Sequence, residues 1–387
     1  MSFKDILKVP GVKTVLFTVL MTSIGFGIIL PILPFYSLSI GAKPIELGMI
    51  VSAFAFASLI FSPIMGKLSD KFGRKKILLA GVAGYGSSYL LLAFSDSLAM
   101  ILFARALAGV FAAAVFPSCI SLLSDFTTEK QRGEVMGLFG MAMSAGFILG
   151  PAFGGLASHF SVRDAFLLSF ALSAANLFSV NFQLSELKEK AESKNLVEKE
   201  ISFFQHLKSN MLFLFLSSFM ASFMVGGHEA VIALYTGERL GFTSSQLGIV
   251  FTYVGVLIFL SRGLTGKFIN KYGEIKLIQA GLLVSGLGFL TLLFAKDWIS
   301  LLLPLTVFVL GNALIFPSVP SLLTKKVSGK RGTILGLESS FRSLGLMTGP
   351  MLGGFLYGIN HNYAFIGMAV VIWIYFLVFS FVGKRKL

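Results

Sequence analysis

The chain has 387 residues, of which 55% are hydrophobic, 13% are charged and 41 are Phe, and its mean hydropathy is +0.85. That leaves too little polar surface for a water-soluble body of this length, so the solvent it implies is lipid. A formal net charge of +14 would suit a nucleic-acid binder, but the cations are spread over one set of loops and read as topology and attraction to anionic lipid, which leaves no nucleic-acid partner.

Apolar stretches long enough to cross about 30 Å of hydrocarbon, about 20 residues each, recur along the whole length. Twelve are predicted, at 13–35, 45–65, 77–94, 99–123, 133–158 and 165–183, then 211–236, 247–265, 277–295, 300–324, 333–357 and 363–383. Lipid offers the backbone no hydrogen-bond partner and the runs lack the alternation of barrel strands, so the expected fold class is an all-α polytopic membrane protein. Lys4 and Lys8 ahead of the first run look like a secretory signal. No small-residue cleavage site follows, so the run is kept as the first helix. Between Val15 and Pro31 its only side-chain polar groups are Thr18, Thr22 and Ser23.

Between the second and third runs stands Gly66-Lys-Leu-Ser-Asp70-Lys-Phe-Gly73-Arg74-Lys75-Lys76. Gly66 and Gly73 permit a tight turn, the cations can reach lipid phosphates, and Asp70 can face the positive end of a helix. The plain alternative is a generic basic loop. The fourth run holds Arg105, about two turns from its outer end, where either a buried role or snorkelling to the interface fits. The lone Cys119 excludes an intrachain disulfide and suits a small apolar filler.

The fifth run carries Gly137, Gly146, Gly150, Pro151, Gly154 and Gly155. The eleventh carries Gly336, Gly345, Gly349, Pro350, Gly353 and Gly354, each 199 residues after its partner. The chain is therefore a duplication of a membrane-embedded half, with halves 1–183 and 211–387 and a polar cytoplasmic connector at 184–210. Gly146, Gly150 and Gly154 fall at i, i+4 and i+8, one smooth stripe for close approach of another backbone, and Pro151 bends the helix. A worn copy of the loop motif follows at Gly266 to Lys276, with Asn270 for the acid and Glu274 for the arginine, and Phe316-Pro317-Ser318 repeats Phe116-Pro117-Ser118.

The remaining ionisable residues at membrane depth are His228 and Glu229 in the seventh run and Glu338 and Arg342 in the eleventh. Burying such groups costs free energy that needs a reason. His228 and Glu229 are adjacent, so they need not share a surface. Glu338 and Arg342 are four apart and can pair along one face, which makes a structural ion pair the competing reading. Asp125 and Arg132 lie near water and carry little information.

With the amino terminus inside, 25 of the 32 Lys and Arg fall in inside segments and four in outside segments. Both termini are then cytoplasmic, in a multi-pass protein of the cell membrane. Four scattered histidines make no metal cluster, and no G-x4-GK-[ST] loop cradles ATP, so neither an enzyme nor a cofactor is expected and energy comes from a gradient.

The 66–76 motif resembles the cytoplasmic loop motif of the major facilitator superfamily. The glycine-proline pattern of the fifth run resembles the antiporter motif of that superfamily's proton-coupled drug exporters. The run Gly25 to Pro34 looks like their first helix, and Arg105 with Gly109 is similar to the superfamily's conserved-arginine motif. The resemblance spans essentially the whole chain. It implies twelve helices in two pseudo-symmetric six-helix bundles, alternating access, a loop that latches the halves, and proton-coupled efflux of small hydrophobic or amphipathic compounds by a monomer in the lipid bilayer. It also implies that Asp70 reaches a helix end of the opposite half near Gly332. A metabolite or sugar carrier is the second reading, and a non-transporting membrane receptor the third. Several members of that group carry an acid in the first helix, which is missing here. The proton carrier then lies elsewhere, with Glu229 first and His228 or Glu338 behind it, and Arg105 and Arg342 complete the cavity candidates.

Overall fold

The structure, a computed structural model, describes residues 7, 9–184, 211–326 and 331–383, apart from the side chains of 129–130, 262–263, 331–333 and 383. All of the connector beyond residue 184, the cations Lys384 to Lys386 and the side chain of Arg262 lie outside the described residues.

Twelve long helices run through the described residues. They are α1 (Val12–Ser39), α2 (Pro44–Phe72), α3 (Arg74–Ala93), α4 (Leu98–Phe126), α5 (Glu129–Ala157) and α6 (Val162–Gln183), then α7 (Leu212–Leu240), α8 (Ser244–Tyr272), α9 (Glu274–Thr291), α10 (Trp298–Lys326), α11 (Arg331–Ile359) and α12 (His361–Val378). Eleven are long and apolar enough to cross a membrane. The twelfth, α11, is as long at 29 residues but carries Glu338 and Arg342 within its span. A 3-10 turn (Leu292–Phe294) extends α9 and a π turn (Phe379–Gly383) extends α12.

The helices outrun the predicted spans most clearly at the 66–76 motif. Gly66 does not turn the chain; it lies inside α2, and only Gly73 separates α2 from α3. Gly73 has φ +95, a region that costs a side chain with a Cβ but not glycine. The repeat does the same at Gly273, with φ +80.

Packing divides the chain into two compact units, one of Met1–Ala42, Ala53–Glu189 and Gly241–Gly255, the other of Lys43–Ser52, Lys190–Leu240 and Val256–Leu387. In the first, α1 packs on α5 and α6, and α3 on α4 and α6. In the second, α7 packs on α11, and α9 on α10 and α12. The core of the first unit at its Val12 end is aliphatic, with Val15, Val19, Leu78, Val115 and Leu123 around the fully buried Cys119, the filler role expected of it. Large apolar side chains such as Phe103, Phe178, Phe182 and Leu303 remain exposed, as suits a surface whose solvent is hydrocarbon.

Proline shapes several helices, and the freed backbone groups are handled locally. Pro317 in α10 cannot donate to the carbonyl of Ala313, and Thr265 Oγ1 of α8 donates to that carbonyl instead, at 3.2 Å. The duplication extends to tertiary contacts. Tyr36 donates its hydroxyl to the carbonyl of Ser95, and Tyr235 donates to that of Ala295 at 2.5 Å, so each repeat ties its first helix to its third turn.

Candidate functional site

The glycine stripe of α5 is a backbone-to-backbone seam. A methyl added at Gly146 would stand 2.3 Å from Ser23 Cβ, at Gly150 2.6 Å from Gly27 Cα, and at Gly154 2.5 Å from the carbonyl oxygen of Ile28, all on α1. In the second unit a methyl added at Gly345 or Gly349 would run into the carbonyl oxygen of Phe219 or Phe223 on α7. The second glycine of each pair faces elsewhere: Gly155 packs on Ser245 and Gly248 of α8, and Gly354 on Pro44 and Gly48 of α2. The motif thus lets one helix approach two others closely. Its first glycines, Gly137 and Gly336, have nothing within 4 Å of an added methyl.

Arg105 is 4% exposed, which settles the choice against snorkelling. Its guanidinium carbon stands 4.8 Å from the ring centroid of Phe54 and 5.9 Å from that of Phe26, and Phe26 also meets Phe147 at 5.6 Å. Cation–π attraction is strongest where water is excluded, so this aromatic wall holds the charge at depth. Tyr85 and Tyr89 of α3 are buried with ring centroids 5.0 Å apart, and the Tyr89 hydroxyl lies against Gly25 of α1.

In the second unit Glu338 is 4% exposed. Ser218 Oγ of α7 donates to Glu338 Oε1 at 2.8 Å, and Arg342 Nε stands 4.0 Å from the same oxygen. That distance is too long for a hydrogen bond, and Arg342 Nε makes none. The guanidinium instead lies 4.4 Å from the Phe316 ring of α10. Ser218, Ala221, Ile315, Phe316, Val319, Glu338 and Arg342 enclose one narrow crevice. It joins α7, α10 and α11 through a carboxyl and a guanidinium that are near but not closed on each other.

His228 is packed into the interior of the second unit, 3% exposed, stacked on Phe308 at 4.4 Å and 9° and edge-on to Phe289. Glu229, on the adjacent residue, is partly buried. Asp70 lies exposed in the last turn of α2, and the surroundings of Gly332 lie outside the described residues. Of the cations after Gly73, Lys76 is exposed, whereas the two before it bond to the protein. Arg74 pairs with Asp125 and donates to the carbonyl of Ser121 at 2.9 Å, and Lys75 donates to that of Asn181 at 2.9 Å. In the repeat, Glu274 pairs with Lys325 at 2.5 Å and accepts from Ser321 Oγ at 2.8 Å.

The family model of the Major Facilitator Superfamily matches residues 15–279 and 214–386. The chain belongs to the major facilitator superfamily. It is similar to "Multidrug resistance protein 2" of Bacillus subtilis (strain 168), 30% identical over 386 residues that cover 97% of this chain and 96% of that protein. It is also similar to "Quinolone resistance protein NorA" of Staphylococcus aureus (strain COL), 27% identical over 92% of this chain and 91% of that one. Among solved structures, a bacterial homologue of the human lysosomal transporter Spinster superposes with TM-score 0.83 at 14% identity, covering 97% and 96% of the two chains. The human organic anion transporter MFSD10 superposes with TM-score 0.69 at 23% identity, covering 95% and 98%.

As a major facilitator superfamily member, the chain is a multi-pass membrane transporter of small molecules and not an enzyme. Of the predicted site residues, Glu338 and Arg342 come together with Phe316 of the repeated Phe-Pro-Ser run and with Ser218, which nothing in the sequence marks. Asp125, which carries little information in the sequence, is the partner of Arg74. The available signal was Lys325, of opposite sign, 200 residues later and opposite Glu274.

Proposed function

We propose that this protein exports small hydrophobic or amphipathic compounds in exchange for protons, by alternating access, with Glu338 as the proton-binding group. Relatives named for multidrug and quinolone resistance over more than nine-tenths of the chain support the substrate class. The observation that carries the coupling is the unclosed Glu338–Arg342 pair in a membrane helix. An ionised carboxylate buried at depth needs a partner, and losing one such partner is a change of several kcal/mol. Ionised, Glu338 draws Arg342 and accepts from Ser218. Protonated, it releases Arg342 to the Phe316 ring. One proton thereby alters how α11 is held to α7 and α10. Glu229, less buried than Glu338, is the second candidate. The cytoplasmic placement of both termini rests on the distribution of Lys and Arg, and function as a monomer on the presence of both repeats in one chain.

The test uses purified protein in liposomes under an imposed pH gradient. Glu338→Gln should bind substrate and fold normally but fail to drive uphill export, while Glu229→Gln retains it. Gradient-driven transport by Glu338→Gln, with failure of Glu229→Gln, overturns the assignment.

A further inference from the structure

A second ionisable cluster, apart from the Glu338 crevice, sits where α7 ends and α12 begins. Arg239 Nη2 of α7 lies 3.1 Å from Nδ1 and 2.9 Å from Nε2 of His361, the first residue of α12. A guanidinium has donors only, and an imidazolium has no acceptor. The contact therefore exists only while His361 is neutral, and protonation both removes the acceptor and sets two cations side by side.

The neighbouring residue supplies the alternative partner. Glu238 is exposed, and Tyr357 of α11, 5% exposed, donates its hydroxyl to Glu238 Oε2 at 2.9 Å. Tyr235 of α7 brings its ring centroid within 6.3 Å of that of His361 and anchors the α9–α10 turn through Ala295. That turn adds Lys296 and Asp297, the latter engaged by Ser300, whose backbone and hydroxyl hydrogen bonds hold its carboxyl below the usual range. Tyr363 follows on α12 itself.

The repeat provides an internal control. Asn360 caps α12 by accepting from Asn362 N, and 199 residues earlier Ser161 caps α6 in the same way. Tyr235 likewise has Tyr36. The ionisable residues have no such counterparts: Ser39, Ile40, Ser158 and Val162 stand where Glu238, Arg239, Tyr357 and His361 stand in the second repeat. The corner folds without them once and carries them once, so the fold alone does not require them.

We propose that this corner is a proton-binding site open to the outer solution, in which His361 takes up a proton, leaves Arg239 and turns to the Glu238 carboxylate, drawing it from Tyr357. The proton comes from water, and no other group is consumed. The external assignment rests on the orientation proposed above; the titration itself does not depend on Glu338.

Two measurements on the full-length protein test it. Thermal unfolding at about pH 8 and about pH 5 brackets the histidine range. The neutral contact contributes above the His361 midpoint and is lost below it, so Arg239→Gln should lower Tm by about 2–4 °C at the higher pH and leave it unchanged at the lower. In liposomes of known protein orientation with fixed lumenal pH, a step in the pH on the proposed outer face should change the rate of substrate exchange by Glu338→Gln, which the gradient no longer drives, but not by Glu338→Gln combined with His361→Gln. Glu338→Gln serves as the control, expected to lose gradient coupling yet keep the Tm dependence. An equal Tm loss for Arg239→Gln at both pH values, or a pH response preserved in the double variant, overturns the site. A response only to pH on the opposite face overturns the external assignment.

Discussion

Glu274 and Lys325 form an ion pair whose two members each stand 200 residues after a residue of opposite charge, Arg74 and Asp125, which pair in turn. The contact survived duplication while its polarity reversed. Even the polar neighbour is retained, since Ser121 supplies a carbonyl to Arg74 and Ser321 a hydroxyl to Glu274. A cross-link between the third and fourth helices of each repeat is thus what the site requires, and neither sign is special.

Charge exchange should therefore be tolerated at this pair. Lys325 is 62% exposed, so the interaction is worth only about 0.5–1 kcal/mol. Glu274→Lys alone should destabilise by at least that much through repulsion, and Glu274→Lys with Lys325→Glu should recover most of it. A double-mutant cycle on thermal unfolding reads the coupling; independent, additive losses would show that the pair contributes nothing.

The glycines of the fifth and eleventh helices should separate into two classes. At Gly150 and Gly349 an added methyl meets backbone at 2.6 and 2.2 Å, and backbone cannot rotate away. Alanine there should cost about 1–3 kcal/mol by overpacking and impair transport. At Gly137 and Gly336 the space is open, and alanine should be neutral or stabilising by up to about 1 kcal/mol through helix propensity. Melting temperatures of the four single variants decide it.

His228 should prove replaceable. Its ring stacks between aromatic neighbours and its Nε2 has no hydrogen-bond partner, so His228→Phe keeps the shape and removes a buried polar group. The pH profile of transport in liposomes should be unchanged and the protein no less stable. A flattened profile would instead make His228 a coupling residue.

Asp70 and Arg74 should differ in kind although four residues apart. Asp70 is exposed, whereas Arg74 is tied to α4 through Asp125 and Ser121. Asp70→Asn should impair transport while leaving the melting temperature nearly intact, as a latch requires. Arg74→Gln should lower the melting temperature as well. Unimpaired transport by Asp70→Asn would remove the latch.

The twelve helices were legible because hydropathy is a local record of a lipid environment, and the 199-residue repeat matches each helix of one half to a helix of the other. The site was less so, since each decisive fact is tertiary. Whether Arg105 snorkels depends on Phe26 and Phe54, which come from two other helices. Which of two adjacent residues, His228 or Glu229, enters the interior depends on the rotation of α7, and Phe308 of α10 decides it for His228. Glu338 and Arg342 share a helix face by spacing alone, but Ser218 donates to the carboxyl and Phe316 faces the guanidinium, and the two charges are left 4.0 Å apart.

The one-residue joint at Gly73 leaves α2 and α3 no slack. Two helices separated by a single fixed dihedral keep a set rotational phase, so inserting one residue there would turn every side chain of α3 by about 100° relative to α2. Arg74 would then miss Asp125 and Lys75 would miss Asn181. The joint acts as an indexing pin, setting the angular register in which the whole of α3 enters its bundle, and the same holds for α9 at Gly273. Chain length at these two points is therefore under a stricter constraint than residue identity, which has already drifted from Asp70 to Asn270 and from Arg74 to Glu274.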